Sequence, residues 1–305
     1  MTTATRDGAD EAPLAGSSRR FGARLGRGAP FLPGLIMLVF LFVIPMLIML
    51  VFSFWHTNEN FDTVRDWNID NYLRFFEQPT YLRTLGKTIL MGAAVTAAGL
   101  AAGIPFTYFL VRYVSRRWQR LILLAVIVPF WTSYLLRVYA WQAILGETGA
   151  LNQFLMALGI IKEPSTLFVY NDLSVFVVLT YVYFPFAALA LYAALEKFDF
   201  TLLNAAQDLG ARPDQAFRSI LLPQIRPGII TACIFVFIPI MGEFLTPTLV
   251  GGGSGALIGN LIVNFFRVSQ FPEGGALAIV IAAFVAVVLI VFRKSLRVED
   301  VVARG

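Results

Sequence analysis

Long apolar runs separated by short polar stretches set the pattern of this chain. Runs near Phe31–Trp55, Thr88–Val111, Leu121–Leu145, Leu173–Leu195, Pro227–Val250 and Ala276–Phe292 reach the length that carries a helix across a bilayer, about 20 residues for a ~30 Å hydrocarbon core. About six transmembrane helices are therefore predicted over residues 29–292. One polar island stands apart, residues 196–226. It reads as helix, turn, helix. Leu202, Ala206 and Leu209 recur at helical spacing,. Gly210 stands where a helix end takes the left-handed conformation. Pro213 suits a first helical turn, and Asp214 lies near the positive end of that helix. Ala216, Phe217 and Ile220 give the second helix an apolar edge, and Pro223 is expected to stop it,. Such a hairpin between spans either docks a partner or lies on the lipid surface.

Composition agrees with a membrane protein. The 305 residues are 58% hydrophobic and 14% charged, with 28 Phe,. The basic residues then orient the spans. One alternating set of segments carries Arg6, Arg19, Arg20, Arg24 and Arg27, then Arg112, Arg116, Arg117 and Arg120, then Lys197, Arg212, Arg218 and Arg226, then Arg293, Lys294, Arg297 and Arg304. The opposite set carries Arg65, Arg74, Arg83, Lys162 and Arg267. Both termini and the hairpin are thus expected in the cytoplasm, with residues 1–28 a disordered tail and 293–305 a second cytoplasmic tail,. The first span is too long for a signal-peptide core, and Ser53-Phe54-Trp55-His56 offers no small-residue cleavage site,. Ser18-Arg19-Arg20-Phe21 is only a faint twin-arginine pattern.

Little in the chain supports catalysis or cofactor binding. Cys233 is the single cysteine and His56 the single histidine, so neither an internal disulfide nor a CxxC metal site can form, and no metal or cofactor is expected,. Gly251-Gly252-Gly253-Ser254-Gly255 lacks the following Gly-Lys-Ser/Thr of a phosphate cradle and reads as a flexible outer turn,. With no Walker motif, the chain cannot hydrolyse ATP alone. No nucleic-acid partner is indicated. Gly99 and Gly103 present a small-residue face for close helix packing, and Pro105 is expected to bend that helix,.

Two charges fall within spans. Glu243 lies sixteen residues past Pro227 and Arg137 sixteen past Leu121. At ~1.5 Å per residue both stand about 24 Å up a straight helix. Equal depth allows a direct Arg137–Glu243 pair; alternatively Glu243 faces a translocation path and attracts a cation. Gly242, Pro239 and Pro247 predict irregular helix around it,. Trp131, Tyr134, Val138 and Trp141 make one helical stripe, while Tyr181, Tyr183, Phe184 and Phe186 surround Pro185 in the next span. Such rings either bind ammonium groups or simply pack. Acids Glu59, Asp62, Asp66, Asp70, Glu77, Glu147, Glu163, Asp172 and Glu273 make the outer segments negative.

The hairpin resembles the EAA loop of ABC-importer permeases, whose pattern is Glu-Ala-Ala, three residues, Gly, nine residues, then Ile-x-Leu-Pro. Ala205, Ala206, Gly210, Ile220, Leu222 and Pro223 match in place, and Asn204 stands where the family usually has Glu. Pro129–Trp141 with Leu145, Gly146 and Gly149–Asn152, and Pro227–Ile230 with Phe237–Pro239, Gly242–Phe244, Gly251, Gly252 and Leu257–Asn260, resemble the spermidine/putrescine branch. Iron, thiamine and phosphonate permeases share much of that pattern. The resemblance implies an all-α type I importer permease (MetI-like) fold in a bacterial inner membrane. It implies a second permease subunit, a dimer of ATP-binding subunits, an extracytoplasmic solute-binding protein and alternating access. It places ATPase docking at Asn204, Ala205, Ala206, Gly210 and Phe217, and solute passage at Trp131, Tyr134, Arg137, Tyr183 and Glu243. A self-sufficient secondary transporter is the competing class; it would need more ionisable residues within the spans.

Overall fold

The computed structural model describes residues 32–296, so both terminal tails lie outside the described residues. The chain divides into two units, Met1–Val51 and Phe52–Gly305. Of the first, the described part is helical: Leu32–Leu38, a π-turn at Val39–Val43, then Ile44 onward, within a candidate span α1 (Pro33–Phe52).

The second unit begins with a small antiparallel pair, β1 (His56–Thr57) and β2 (Thr63–Val64). Helices follow: α2 (Asp70–Glu77), α3 (Pro79–Tyr113), α4 (Arg116–Ile127), α5 (Tyr134–Leu145), α6 (Ala150–Ala157), α7 (Asp172–Leu195), α8 (Thr201–Asp208), α9 (Pro213–Gln224), α10 (Arg226–Met241), α11 (Leu245–Val250), α12 (Ile258–Arg267) and α13 (Phe271–Leu296). Among the described residues, four helices are long and apolar enough to cross a membrane, or up to six if each of two bent pairs is one span.

Those bent pairs depart from the straight helices the apolar runs predict. Apolar composition fixes length but not direction. The third run is two helical pieces, Arg116–Trp131 and Tyr134–Ala157, set at 94°. Pro129 opens a 3₁₀ turn at Val128–Trp131, and Thr132 and Ser133 are extended. The hairpin's α9 meets α10 at 67°, and the fifth run itself breaks between Met241 and Leu245, as Gly242 and the flanking prolines predict.

α3, α7 and α10 form the packed centre. Small residues let them approach. A Cβ on Gly103 would sit 2.9 Å from Leu191 Cδ1, and one on Gly228 only 2.3 Å from Ala194 Cβ. The predicted glycine face of α3 thus meets α7, and α3 continues through Pro105 without a break. Thr96 and Thr107 return their hydroxyls to Gly92 and Gly103 carbonyls, so no polar group is stranded there,. Val95, Leu179, Leu191, Val236 and Ile240 fill the core between the three helices.

The glycine-rich segment is tightly packed, not a loose turn. A Cβ on Gly255 would fall 2.2 Å from Gly251 Cα. Lys87 donates to the Ser254 carbonyl and pairs with Asp172 at 2.7 Å, fastening the segment to the start of α7.

Candidate functional site

Glu243 is held by the break between α10 and α11. Leaving the helix at Gly242 turns its carboxylate inward, where the residue is 8% exposed. Oε1 accepts the Leu245 and Thr246 backbone N–H groups at 3.0 and 3.1 Å. Oε2 accepts the hydroxyls of Tyr134 at 2.8 Å and Tyr183 at 3.1 Å. The Tyr134 hydroxyl also meets Thr246 Oγ1 at 2.7 Å. One carboxylate therefore ties α5, α7 and α11 together through neutral donors.

The Arg137–Glu243 ion pair does not form. The depth estimate assumed straight helices, and α5 is turned away from α4. The Arg137 guanidinium instead lies 4.5 Å from the Phe130 ring centroid and 5.7 Å from that of Tyr134. Its Nε is buried without a hydrogen-bond partner. Arg137 borders a cavity of about 410 Å³ whose walls include Phe130, Trp141, Tyr181 and Phe184. Trp131 does not join this group: it ends the 3₁₀ turn, off the α5 face, and is 80% exposed. The predicted stripe therefore keeps Tyr134, Val138 and Trp141 and loses its first member. Trp141 packs edge-on against Tyr181 at 5.1 Å.

Residues to which the sequence pattern gave no role of their own shape the Glu243 turn. Gly259 leaves room for the Glu243 carbonyl, 2.5 Å from where its Cβ would lie. Asn260 donates to the Phe244 carbonyl at 2.9 Å and to Thr248 at 2.8 Å, while its Oδ1 caps the Leu257 N–H. Thr88 of α3 accepts the Ile258 N–H at 2.9 Å. The signal was a polar residue at the third position of a helix start.

The second cluster is the hairpin. Gly210 has φ +91°, and Ala211 N donates to Ala206 O at 3.0 Å, closing α8 as predicted,. Pro213 opens α9. Pro223 does not end it. A π-turn at Phe217–Leu221 accommodates the missing N–H, and helix continues to Gln224,. On α8 the packed side is not the predicted stripe, whereas the predicted α9 edge of Ala216, Phe217 and Ile220 does pack. Leu203, Ala216, Leu221 and Ile225 are buried, with Phe217 and Ala206 partly so. Leu202 is exposed, and Leu209 is 90% exposed on the turn. Ala205 and Gly210 are exposed beside it. Asn204 accepts a hydrogen bond from Arg112 of α3 at 2.8 Å.

The charge pattern outside the bundle includes His56 Nδ1 at 2.6 Å from Asp66 Oδ1 and Thr57 donating to Glu273 at 2.7 Å. The described residues hold no group of three or more His, Cys, Asp or Glu suited to a metal ion.

Residues 95–298 match the family described as binding-protein-dependent transport system inner membrane component. The spermidine/putrescine transport system permease protein PotB of Escherichia coli is 36% identical over 264 residues, covering 86% of this chain and 94% of that protein. The protein of the same name in Haemophilus influenzae is 34% identical over 85% of this chain and 90% of its own length. The E. coli inner membrane ABC transporter permease protein YdcU is 34% identical over 75% of this chain and 76% of itself. Among solved structures, a bacterial ABC transporter importing the acidic polysaccharide alginate superposes with TM-score 0.70 at 17% identity, over 91% of this chain and 98% of that one. The bacterial alginate transporter in complex with an alginate pentasaccharide-bound periplasmic protein gives 0.72 at 16%, over 91% and 97%; both show a shared fold. The chain belongs to the binding-protein-dependent transport system inner membrane components, as a permease subunit of an ABC importer and not an enzyme.

Proposed function

We propose that this permease forms, with a second permease subunit, the path for a polyamine of the spermidine/putrescine type. An extracytoplasmic solute-binding protein delivers the cargo and a dimer of ATP-binding subunits drives alternating access. Two curated relatives at 34–36% identity are named for that cargo. The observation that carries the cargo reading is the Glu243 carboxylate, buried among neutral donors with no counter-ion within the described residues. An uncompensated negative charge in a low-dielectric site attracts a cation strongly. Tyr134 and Tyr183 flank it, and Arg137, 5.7 Å from the Tyr134 ring, borders the aromatic cavity. Trp131, at the exposed end of the 3₁₀ turn, would meet solute only at the edge of the path.

The hairpin is the docking surface for the ATP-binding subunits. Its exposed Leu209, Ala205 and Gly210 form the contact, with Ala206, Asn204 and Phe217 setting its shape. The hairpin and both termini then face the cytoplasm, as the basic residues imply, with residues 29–292 forming the membrane domain,.

The test is uptake of labelled spermidine into proteoliposomes holding both permeases and the ATP-binding subunits, with the solute-binding protein outside. ATP-dependent uptake that an excess of thiamine or ferric ion leaves unchanged supports the reading. Uptake of thiamine, iron or phosphonate in place of spermidine overturns the cargo. Uptake without ATP overturns the motor.

A further inference from the structure

We infer that Tyr108 and Arg112, on the last turns of α3, form the joint through which displacement of the hairpin reaches the transmembrane bundle. This rests on the docking reading above and names the residues that transmit the motion.

Arg112 makes two contacts with α8 and its entry. Its Nη2 donates to Asn204 Oδ1 at 2.8 Å, while its guanidinium sits 5.2 Å from the Phe200 ring centroid. A planar guanidinium does both at once, stacking its face while its edge donates, a geometry a compact ammonium matches less well. One turn earlier, Tyr108 stands 6.0 Å from Phe200 and edge-on to Phe217 at 5.9 Å. Tyr108 therefore packs with both arms of the hairpin and joins its apolar cluster, which includes Leu203, Ala216 and Leu221. Close-packed contacts of this kind resist sliding and shift as units. Behind the joint, α3 lies against α7 with Gly103 on Leu191. A push on Leu209 must therefore move α3.

The assignment divides the hairpin in two. The Asn204 amide oxygen faces its own chain, so Asn204 is a positioning residue and the partner contact falls to the Leu209 side. The Arg116–Glu196 pair beside the joint is exposed on both members, 67% and 40%, and adds little,.

The test uses the full complex in nanodiscs, reading the ATP-binding subunit retained on purification, ATP hydrolysed per solute moved, and amide exchange over Thr201–Asp208. Arg112→Gln is expected to retain the ATP-binding subunit and raise the ATP-to-solute ratio at least roughly fivefold. It should also speed exchange in that segment. Arg112→Lys should fall between wild type and Arg112→Gln. An unchanged ratio with unchanged exchange overturns the inference, as does loss of the ATP-binding subunit in Arg112→Gln alone. A second arm guards against misfolding. In a Cys233→Ser background, Arg112→Cys with Asn204→Cys is bridged by a short bis-maleimide. Restored coupling on bridging supports a joint that moves as one piece; abolished transport refutes it. Wild type that binds no ATP-binding subunit would sink the docking reading, and the exchange measurement would still judge the joint.

Discussion

Glu243→Gln and Glu243→Ala separate the structural work of this carboxylate from its charge. The wild-type side chain accepts four hydrogen bonds at 2.8–3.1 Å. Glutamine is nearly isosteric. Its oxygen can keep the Leu245 and Thr246 N–H groups while both tyrosine hydroxyls rotate to accept from its amide. It forfeits the difference between charged and neutral bonds, roughly 1 kcal/mol for each, and recovers much of the cost of burying a charge. A net loss of about 1–2 kcal/mol follows. Alanine strands two backbone N–H groups and the Tyr183 hydroxyl, each at about 1–3 kcal/mol; Tyr134 retains Thr246. With the same recovery, about 3–4 kcal/mol is lost. At roughly 2–4 °C per kcal/mol, alanine should melt about 6–16 °C below wild type and glutamine about 2–8 °C below. Intrinsic-fluorescence melts in nanodiscs check the order. Spermidine uptake by glutamine at a temperature where it is fully folded reads the charge alone, and should drop. Equal melting of the two variants would refute the hydrogen-bond account. Wild-type uptake by the glutamine variant would refute the role of the charge.

Three further outcomes are expected. Gly228→Ala drives a Cβ to 2.3 Å from Ala194 Cβ and should cost roughly 1–3 kcal/mol, recovered by adding Ala194→Gly; Gly99→Ala, where the nearest atom is 3.6 Å away, should melt like wild type. Lys87→Met removes the ties to Ser254 and Asp172 and should speed amide exchange over residues 251–257 about tenfold while changing overall stability by less than about 1 kcal/mol. Hydrogen bonds from the Thr201 N–H and hydroxyl hold the Asp199 carboxyl below its ordinary value of 3.8. A depressed carboxyl stabilises above its unfolded pKa and loses that contribution as pH falls through the folded value. Protection of the start of α8 should therefore exceed that of Asp199→Ala at neutral pH, and the gap should close below about pH 3.8; a pH-independent gap would refute the assignment.

The number and length of apolar runs were legible because burial in lipid requires about 20 apolar residues in succession. Their straightness was not. Thr132 and Ser133 carry no strong breaking signal, yet their extended backbone turns α5 by 94° and separates Trp131 from Tyr134. The Glu243 turn was legible as irregular from Gly242 and its prolines, but its donors come from α5 and α7, far along the chain, and no local pattern encodes such a meeting. The hairpin's ends were legible because Gly210 meets a local backbone requirement. Which of its leucines pack was not: Leu202 and Leu203 are adjacent, and the choice between them depends on where Tyr108 and Phe200 stand. Pro223 misled because a π-turn relieves what a regular helix could not.

α3 has one more consequence. Its 35 residues span about 52 Å at ~1.5 Å each, well beyond the ~30 Å of hydrocarbon. One end begins near Tyr81, which lines a polar recess with Asn71 and Glu273, and the other carries Arg112 in its last turn. On the docking reading proposed above, arrival of a ligand on one side and nucleotide turnover on the other would act on opposite tips of this single uninterrupted rod.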